Sequence, residues 1–404
     1  EDSPWRQGPH KLNATADVAL TLPASASTGM QWLSRLRGQA QLALEPSRLA
    51  GVPISGNVAL QSAPNGRATG QLQLLADDNQ LRADAQLDAP ADGSGDRWDL
   101  KADMPALKKL QPLWKLLLGP GSDPRLAGKL NAEARIDGRW PALNTQGRLD
   151  GAALQMGELQ IQRADARWTL GTRGDAPLDA QLELSQLSFG APSAETLKLQ
   201  LKGTLQSHTL ALKAESKALP PAWVEAMQNA PAGTKAKSTL AELRLQGGAL
   251  GSTADGLRGW RGKLHKAEVR GDAAAAPPWL NVAEFGFELQ WAGAPLRFKA
   301  DAGRARLLGA GLTWSRIAWT DVDPGRAPAQ LDAEARLEPL DVAPLLQRMQ
   351  PAFGWGGDLR LGGHLVMRSA PTFSADVVIE RASGDLSVTD ESGTRTLGLT
   401  DLRL

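Results

Sequence analysis

Alternation of apolar and polar residues with a period of two is the feature that most limits what this chain can become. Leu81, Ala83, Ala85 and Leu87 alternate with Arg82, Asp84, Gln86 and Asp88. The pattern recurs at Trp98 and Leu100, at Leu130, Ala132, Ala134 and Ile136, and at Ala164, Ala166, Trp168 and Leu170. It returns at Ala180, Leu182 and Leu184, at Leu197, Leu199 and Leu201, and at Leu210, Leu212 and Ala214. Further along, the apolar positions are Phe285, Phe287, Leu289 and Trp291, then Leu296, Phe298 and Ala300. Leu331, Ala333, Ala335 and Leu337 follow, and Ala375, Val377 and Ile379 end the series. Successive side chains of a strand point to opposite sides, so each run carries one apolar and one polar face. Alternation this persistent predicts antiparallel strands with one wet face. A parallel α/β sheet would need continuous apolar runs and long intervening helices.

Turn signals separate the runs: Pro64-Asn65-Gly66, Asp92-Gly93-Ser94-Gly95, Gly174-Asp175-Ala176-Pro177 and Glu391-Ser392-Gly393. A strand with its turn takes roughly 15 residues, which allows about two dozen strands. Alanine and leucine dominate the apolar positions, although alanine is a poor strand former. Two explanations stand open: small inward residues that leave room for a guest, or a bias of the source genome.

Two short helices are expected, at 105–114 and 344–353, with similarly placed prolines, a Leu107/Leu346 and Leu110/Met349 correspondence, and a closing aromatic. Each follows an alternating strand and precedes a glycine-containing one. This marks an internal repeat with approximate units 69–150 and 305–386. A degenerate third helix is expected at 221–227. Such helices cover an open sheet edge or rim, and Trp114, Phe353 and Trp355 are assigned to packing there. The whole chain reads as one elongated repeat region, expected to be a piece of a longer protein.

Composition narrows the function. Lysine and arginine number 45 against 44 acidic residues, with no basic stripe, so no nucleic-acid partner is expected. The absence of cysteine removes disulfide, thiolate and Cys-zinc chemistry. The four histidines, His10, His208, His265 and His364, are dispersed, so no metal site is expected; His208 and His364 read as surface residues. No nucleophile elbow, P-loop, dinucleotide fingerprint, H-E-x-x-H or EF-hand motif occurs. Carboxylates alternate along strands beside Arg, Lys and Gln, as on a solvated sheet face. No catalytic residue and no cofactor are assigned.

The order of these elements resembles the extracytoplasmic repeat region of the TamB family, within the AsmA-like group of bridge-like lipid transfer proteins. The resemblance is carried by Asn79-Gln80-Leu81-Arg82-Ala83-Asp84-Ala85-Gln86-Leu87, the Trp98-Asp99-Leu100-Lys101-Ala102-Asp103 run and the helix at 105–114. Segments 130–141, 199–210, 378–386 and 397–402 carry it further. It implies a long curved antiparallel sheet forming a U-shaped groove with an apolar interior and short helices at the rim. It implies a periplasmic location, with an inner-membrane anchor expected outside these residues. It also implies phospholipid movement between the inner and outer membranes, and an outer-membrane barrel partner of the TamA/BamA type. The positions expected to line the groove against acyl chains are Leu81, Ala83, Ala85, Leu87, Trp98, Leu100, Leu130, Ile136, Trp168, Leu170, Leu182 and Leu184. Leu197, Leu199, Leu201, Leu210, Leu212, Phe285, Phe287, Leu289, Trp291, Phe298, Leu331, Val377 and Ile379 complete the set.

Two other readings compete with a lipid conduit. One is a scaffold that assists outer-membrane protein assembly by strand augmentation. The other is an extracellular β-solenoid adhesin with a dry core, built from coils of equal length.

Overall fold

Alternating strands keep their apolar side chains together only if they pair in a consistent register, because a slip of one residue sends every side chain to the other face. The structure is a computed structural model. It describes residues 10–21, 37–63, 67–88, 94–118, 125–221, 224, 236–251, 258–273, 276–291, 296–321, 329–370 and 372–404. The turn expected at 64–66 and most of the segment 221–227 lie outside these residues. The fold is mainly β and antiparallel, in two units, Glu1–Leu205 and Gln206–Leu404.

In the first unit the strands are β1 (Ala14–Thr21), β2 (Arg37–Leu49), β3 (Val52–Ser62), β4 (Ala68–Ala76), β5 (Asn79–Leu87) and β6 (Arg97–Met104). They continue as β7 (Leu126–Arg139), β8 (Ala142–Met156), β9 (Leu159–Gly171), β10 (Pro177–Phe189) and β11 (Ala191–Thr204). Each pairs antiparallel with the next in sequence. The register is coherent across the unit. Ala16, Leu42, Val58, Leu72, Ala83, Leu100, Ala134, Gly147, Trp168, Ala180 and Leu201 stand opposite one another in turn. One residue further along, the row reads Asp17, Gln41, Ala59, Gln71, Asp84, Asp99, Arg135, Gln146, Thr169, Asp179 and Lys202. Opposed side chains lie about 5 Å apart. Large residues accordingly face small ones: Leu100 against Ala83, Trp98 against Ala85, Trp168 against Gly147. Alanine thus serves here as a spacer between bulky neighbours, despite its low strand propensity.

A crease crosses strands β7 to β11. Gly128 on β7 has φ 108°, Ala153 on β8 φ 50° and Gln186 on β10 φ 51°, all in the left-handed region. Register shifts accompany them in β7–β8 and β10–β11. The flanking pairs Leu154–Ile161 and Leu187–Ile161 bring Ala153, Gln162 and Gln186 into line. A left-handed residue inside a strand bends it and restarts the alternation. Leu154 therefore lies over Gly151, on the same face, although it is three residues on.

The second unit contains β12 (His208–Ser216), β13 (Thr239–Leu250), β14 (Arg258–Gly271), β19 (Ala310–Asp321), β20 (Gln330–Asp341), β22 (Arg360–Arg368) and β23 (Ser374–Ser383). Between β14 and β19 the two middle positions are split into short strands. β15 (Leu280–Val282) pairs with β18 (Gly303–Leu307), and β16 (Phe285–Trp291) with β17 (Leu296–Ala300). β14 receives both β15 and β16, and β19 both β17 and β18. The breaks at Ala283–Glu284 and Asp301–Ala302 are level with an extra residue in β14 (His265) and another in β19 (Ser315). This is a second crease. Sequence periodicity shows the alternation on either side of these breaks but not the breaks themselves.

Both helical segments sit where expected, with shifted ends. The first is a 3-10 turn, Leu107–Leu110, followed by α1 (Gln111–Leu118). Pro112 falls in the first turn of α1, where a missing N–H costs nothing, so the helix runs on past Trp114. The second is α2 (Ala343–Met349) with a 3-10 turn Pro351–Phe353. Helices this short depend on packing. Leu110 and Leu113 pack on Val52, Ile54 and Ala76 at the ends of β3 and β4. Asn79 is buried: its side chain donates to the Ala76 and Ala106 carbonyls and accepts from the Ala106 N–H. In the second unit Leu346 and Trp355 pack on Ala343, Leu359 and Leu386. A small sheet of β21 (Trp355–Gly357), β24 (Leu386–Asp390) and β25 (Gly393–Thr396) lies alongside. Phe353 stacks on Trp355 but stays exposed, as does Trp114.

Candidate functional site

Among the described residues, each unit presents an apolar face with no second layer over most of it. Leu42 and Val58, on β2 and β3 near the start of the first unit's row, keep 44% and 40% of their surface exposed. Of the large side chains among the described residues, only Leu359 is buried to below 2% exposure. In a closed sandwich the residues of such rows interdigitate with a facing sheet and disappear from the surface.

The residues singled out from sequence fall on this face. Leu81, Leu182 and Leu199 belong to one row of the first unit, with Ala102, Ala132, Leu149 and Ala166 between Leu81 and Leu182, and Leu74 beyond Leu81. Ala83, Leu100, Trp168 and Leu201 belong to the next, and Ala85, Trp98, Ile136 and Leu170 to the one beyond. Leu130, Leu184 and Leu197 extend the face toward the crease, and Leu87 closes it opposite Ala68. In the second unit Leu210 and Leu212 face Leu245 and Leu243. Phe285, Phe287 and Leu289 face Leu264, Gly262 and Trp260. Leu289 in turn faces Phe298, and Phe298 faces Trp319, which faces Leu331. Val377 and Ile379 face Leu365 and Gly363. Trp291 sits at the strand end between Arg258 and Leu296, 37% exposed.

Sequence reasoning missed Trp260, Leu264, Trp314 and Trp319, which join this face. The signal was available, since Trp260, Gly262 and Leu264 alternate with Arg261, Lys263 and His265. Trp260 and Trp314 join Phe285, Phe287 and Phe298 in an aromatic chain. Trp260 and Phe287 centroids lie 5.0 Å apart, Phe287 and Phe298 5.9 Å, and Phe285 meets Trp314 edge-on at 5.1 Å. His208, expected at the surface among polar neighbours, is instead half-buried on the apolar face. It stands opposite Gly247 and accepts a hydrogen bond from Trp260 Nε1 at 2.8 Å.

The opposite face is charged and internally paired. Arg135 bonds Asp99 at 2.7 Å, and Glu133 receives both Lys101 and Arg148 at 2.9 Å. Lys266 reaches Glu242 at 2.7 Å and Arg261 reaches Glu288 at 2.6 Å. The hydrogen bond from Lys266 holds the Glu242 carboxyl below the usual range, and that from Arg261 does the same for Glu288. Lys101, with the nearby Arg148 charge, lowers Glu133. A shallow hollow of ≈ 920 Å³ opens on this polar face, lined by Arg82, Asp84, Asp99, Glu133, Arg135 and Arg148 among others. A twisted sheet is concave along a diagonal on each side, so a hollow here follows from the twist. Its carboxylates and guanidinium groups are largely neutralised by one another.

Chemically, the apolar face can receive hydrocarbon and little else. Among the described residues, no group of three or more His, Asp or Glu side chains is placed to hold a metal ion. No helix among them is long and apolar enough to cross a membrane. Residues 35–224, which cover most of the first unit, match the family model described as TamB, N-terminal domain. No curated protein and no solved structure matches the chain. The match over residues 35–224, which falls on the antiparallel strands of the first unit, supports membership of the TamB family.

Proposed function

We propose that the apolar face is a conduit for phospholipid acyl chains in the envelope of a diderm bacterium, carrying lipid between the inner and outer membranes through the periplasm. The observation that carries this reading is the unbroken, uncovered apolar row across the eleven strands of the first unit. At about 4.8 Å per strand that row is about 50 Å long. A sixteen-carbon chain in water costs on the order of 12 kcal/mol at ~0.8 kcal/mol per methylene. A path must offset most of that cost everywhere, without deep local wells. A strip of Leu and Ala, interrupted by indoles but free of charge, meets both requirements. The crease of each unit is a place where its apolar side can bend inward to form a groove.

Family membership supports a role in the envelope, and by the same resemblance a partner of the outer-membrane barrel type. A solenoid of parallel coils does not survive the antiparallel pairing of neighbouring strands. Strand augmentation of a client protein is the competing use. The test is photo-crosslinking in cells, followed by mass spectrometry of bound lipid. Crosslinks to lipid are expected from Leu199, Phe287 and Trp291, and none from Gln200 or Glu288. Crosslinks to an outer-membrane protein from strand edges, with no lipid recovered, would replace the conduit with the scaffold.

A further inference from the structure

Two tryptophans of the apolar face lie flat against the sheet, and glycines make that possible. Trp168 faces Gly147, and a Cβ placed on Gly147 would overlap the six-membered ring of the indole. Trp260 covers two glycines at once: Gly262, two residues along its own strand, and Gly247 on the neighbouring strand. A Cβ on either would again fall within the ring. Both rings therefore rest on bare backbone instead of standing up from the face.

The indole N–H, the one polar group of each ring, is turned into the protein. Trp168 Nε1 donates to Thr145 Oγ1 at 3.2 Å, two residues before Gly147 on the same strand. Trp260 Nε1 reaches across Gly247 to His208 Nε2 on β12. Trp314 repeats the arrangement over Gly303, with its N–H on the Asp301 carbonyl, but it is buried beneath Phe285. Trp168 and Trp260 remain half-buried, so part of each ring is exposed.

We infer that the flat indoles of Trp168 and Trp260 set the depth of the channel. Gly147, Gly247 and Gly262 are the specificity-determining residues that keep it deep enough for an acyl chain, and His208 and Thr145 are positioning residues that hold the rings down. The inference rests on the conduit reading and goes one step past it. An upright indole stands several ångströms proud of a sheet and carries an unpaired donor into hydrocarbon, where an unmade hydrogen bond is costly. A flat one offers only its apolar ring surface.

The test uses the purified chain titrated with a phospholipid brominated on its acyl chain, which quenches tryptophan fluorescence at short range. The wild type is expected to be quenched, and Trp168→Phe and Trp260→Phe each to lower the quenched fraction. Trp140→Phe, at the exposed β7–β8 turn, is expected to leave it unchanged. Gly147→Val and Gly262→Val, checked for native circular dichroism, are expected to weaken binding on the order of fiftyfold, as loss of about three methylene contacts implies. His208→Leu is expected to weaken binding and shift Trp260 emission, and His208→Gln, which keeps an acceptor, to restore both. A wild type that is neither quenched nor lipid-bound defeats the conduit reading itself. Lipid bound equally by the wild type and a folded Gly147→Val protein overturns the inference and leaves the conduit standing. Where a valine variant does not fold, unchanged quenching in both phenylalanine variants overturns it.

Discussion

Replacing Leu182 with aspartate separates an open apolar face from a packed core. Leu182 is half-buried in the middle of β10, between Ala166 on β9 and Leu199 on β11. Full burial of a leucine is worth ~1.5–3 kcal/mol, so a half-buried one loses about 1 kcal/mol on removal. The lower strand preference of aspartate adds up to about 1 kcal/mol. With water able to reach the carboxylate in an empty groove, no charge-burial penalty follows, and the variant is expected to be about 2 kcal/mol less stable in urea. The same carboxylate against a bound acyl chain costs roughly 2.5–3.5 kcal/mol, so lipid affinity is expected to fall on the order of a hundredfold. Glu183→Gln, on the opposite face, is the control and should alter neither. A Leu182→Asp protein that fails to fold, or loses more than about 5 kcal/mol, would show a dry core, because a buried unpaired charge adds its own penalty to the lost leucine. A folded variant with wild-type lipid content would show that no chain passes this point.

Three further outcomes are expected. Cross-strand partners lower the folded pKa of Glu133, Glu242, Glu284 and Glu288 from their usual 4.5. Their contribution is therefore complete above that value and is lost as pH falls through the lowered ones. Thermal melting followed by circular dichroism should be flat from neutrality to about pH 5 and decline steeply below pH 4, with a smaller decline in high salt. Asn79→Ala removes one bond within the β4–β5 turn and the two that tie Ala106 to it. It should cost ~1–3 kcal/mol and speed hydrogen exchange at Ala106; unchanged exchange would refute that tether. Arg139→Leu strands the buried Asp96 carboxylate, which Arg139 Nη2 meets at 2.6 Å. It should cost ~3–5 kcal/mol, and adding Asp96→Leu should recover most of it; no recovery would mean the pair is not what stabilises this turn.

The face on which each residue lies was readable because alternation is a local signal. Knowing that Leu81 and Arg82 point apart requires only that both are in one strand, and the register then joins Leu81 to Leu74 and Ala102 without exception. The creases were not readable. Ala153 and Gln186 adopt left-handed backbone with side chains that give no hint of it, and the break at Ala283–Glu284 contains neither glycine nor proline. His208 was misplaced because its sequence neighbours Ser207 and Thr209 are polar. Its true surroundings, Gly247 and Trp260, are contributed by other strands. The first helix runs past its expected end because Pro112 falls in its first turn, where no N–H is needed.

The crease of the first unit has a consequence for how such a chain can diverge. Its bend is written in the φ angles of Gly128, Ala153 and Gln186, none of which contributes a large apolar side chain to the floor. The bend and the surface chemistry are thereby carried by separate sets of positions. Leucine can drift to methionine or phenylalanine along the rows, retuning which cargo moves easily, while the corner keeps its angle. A change at Gly128, by contrast, would reshape the wall without touching a single greasy residue.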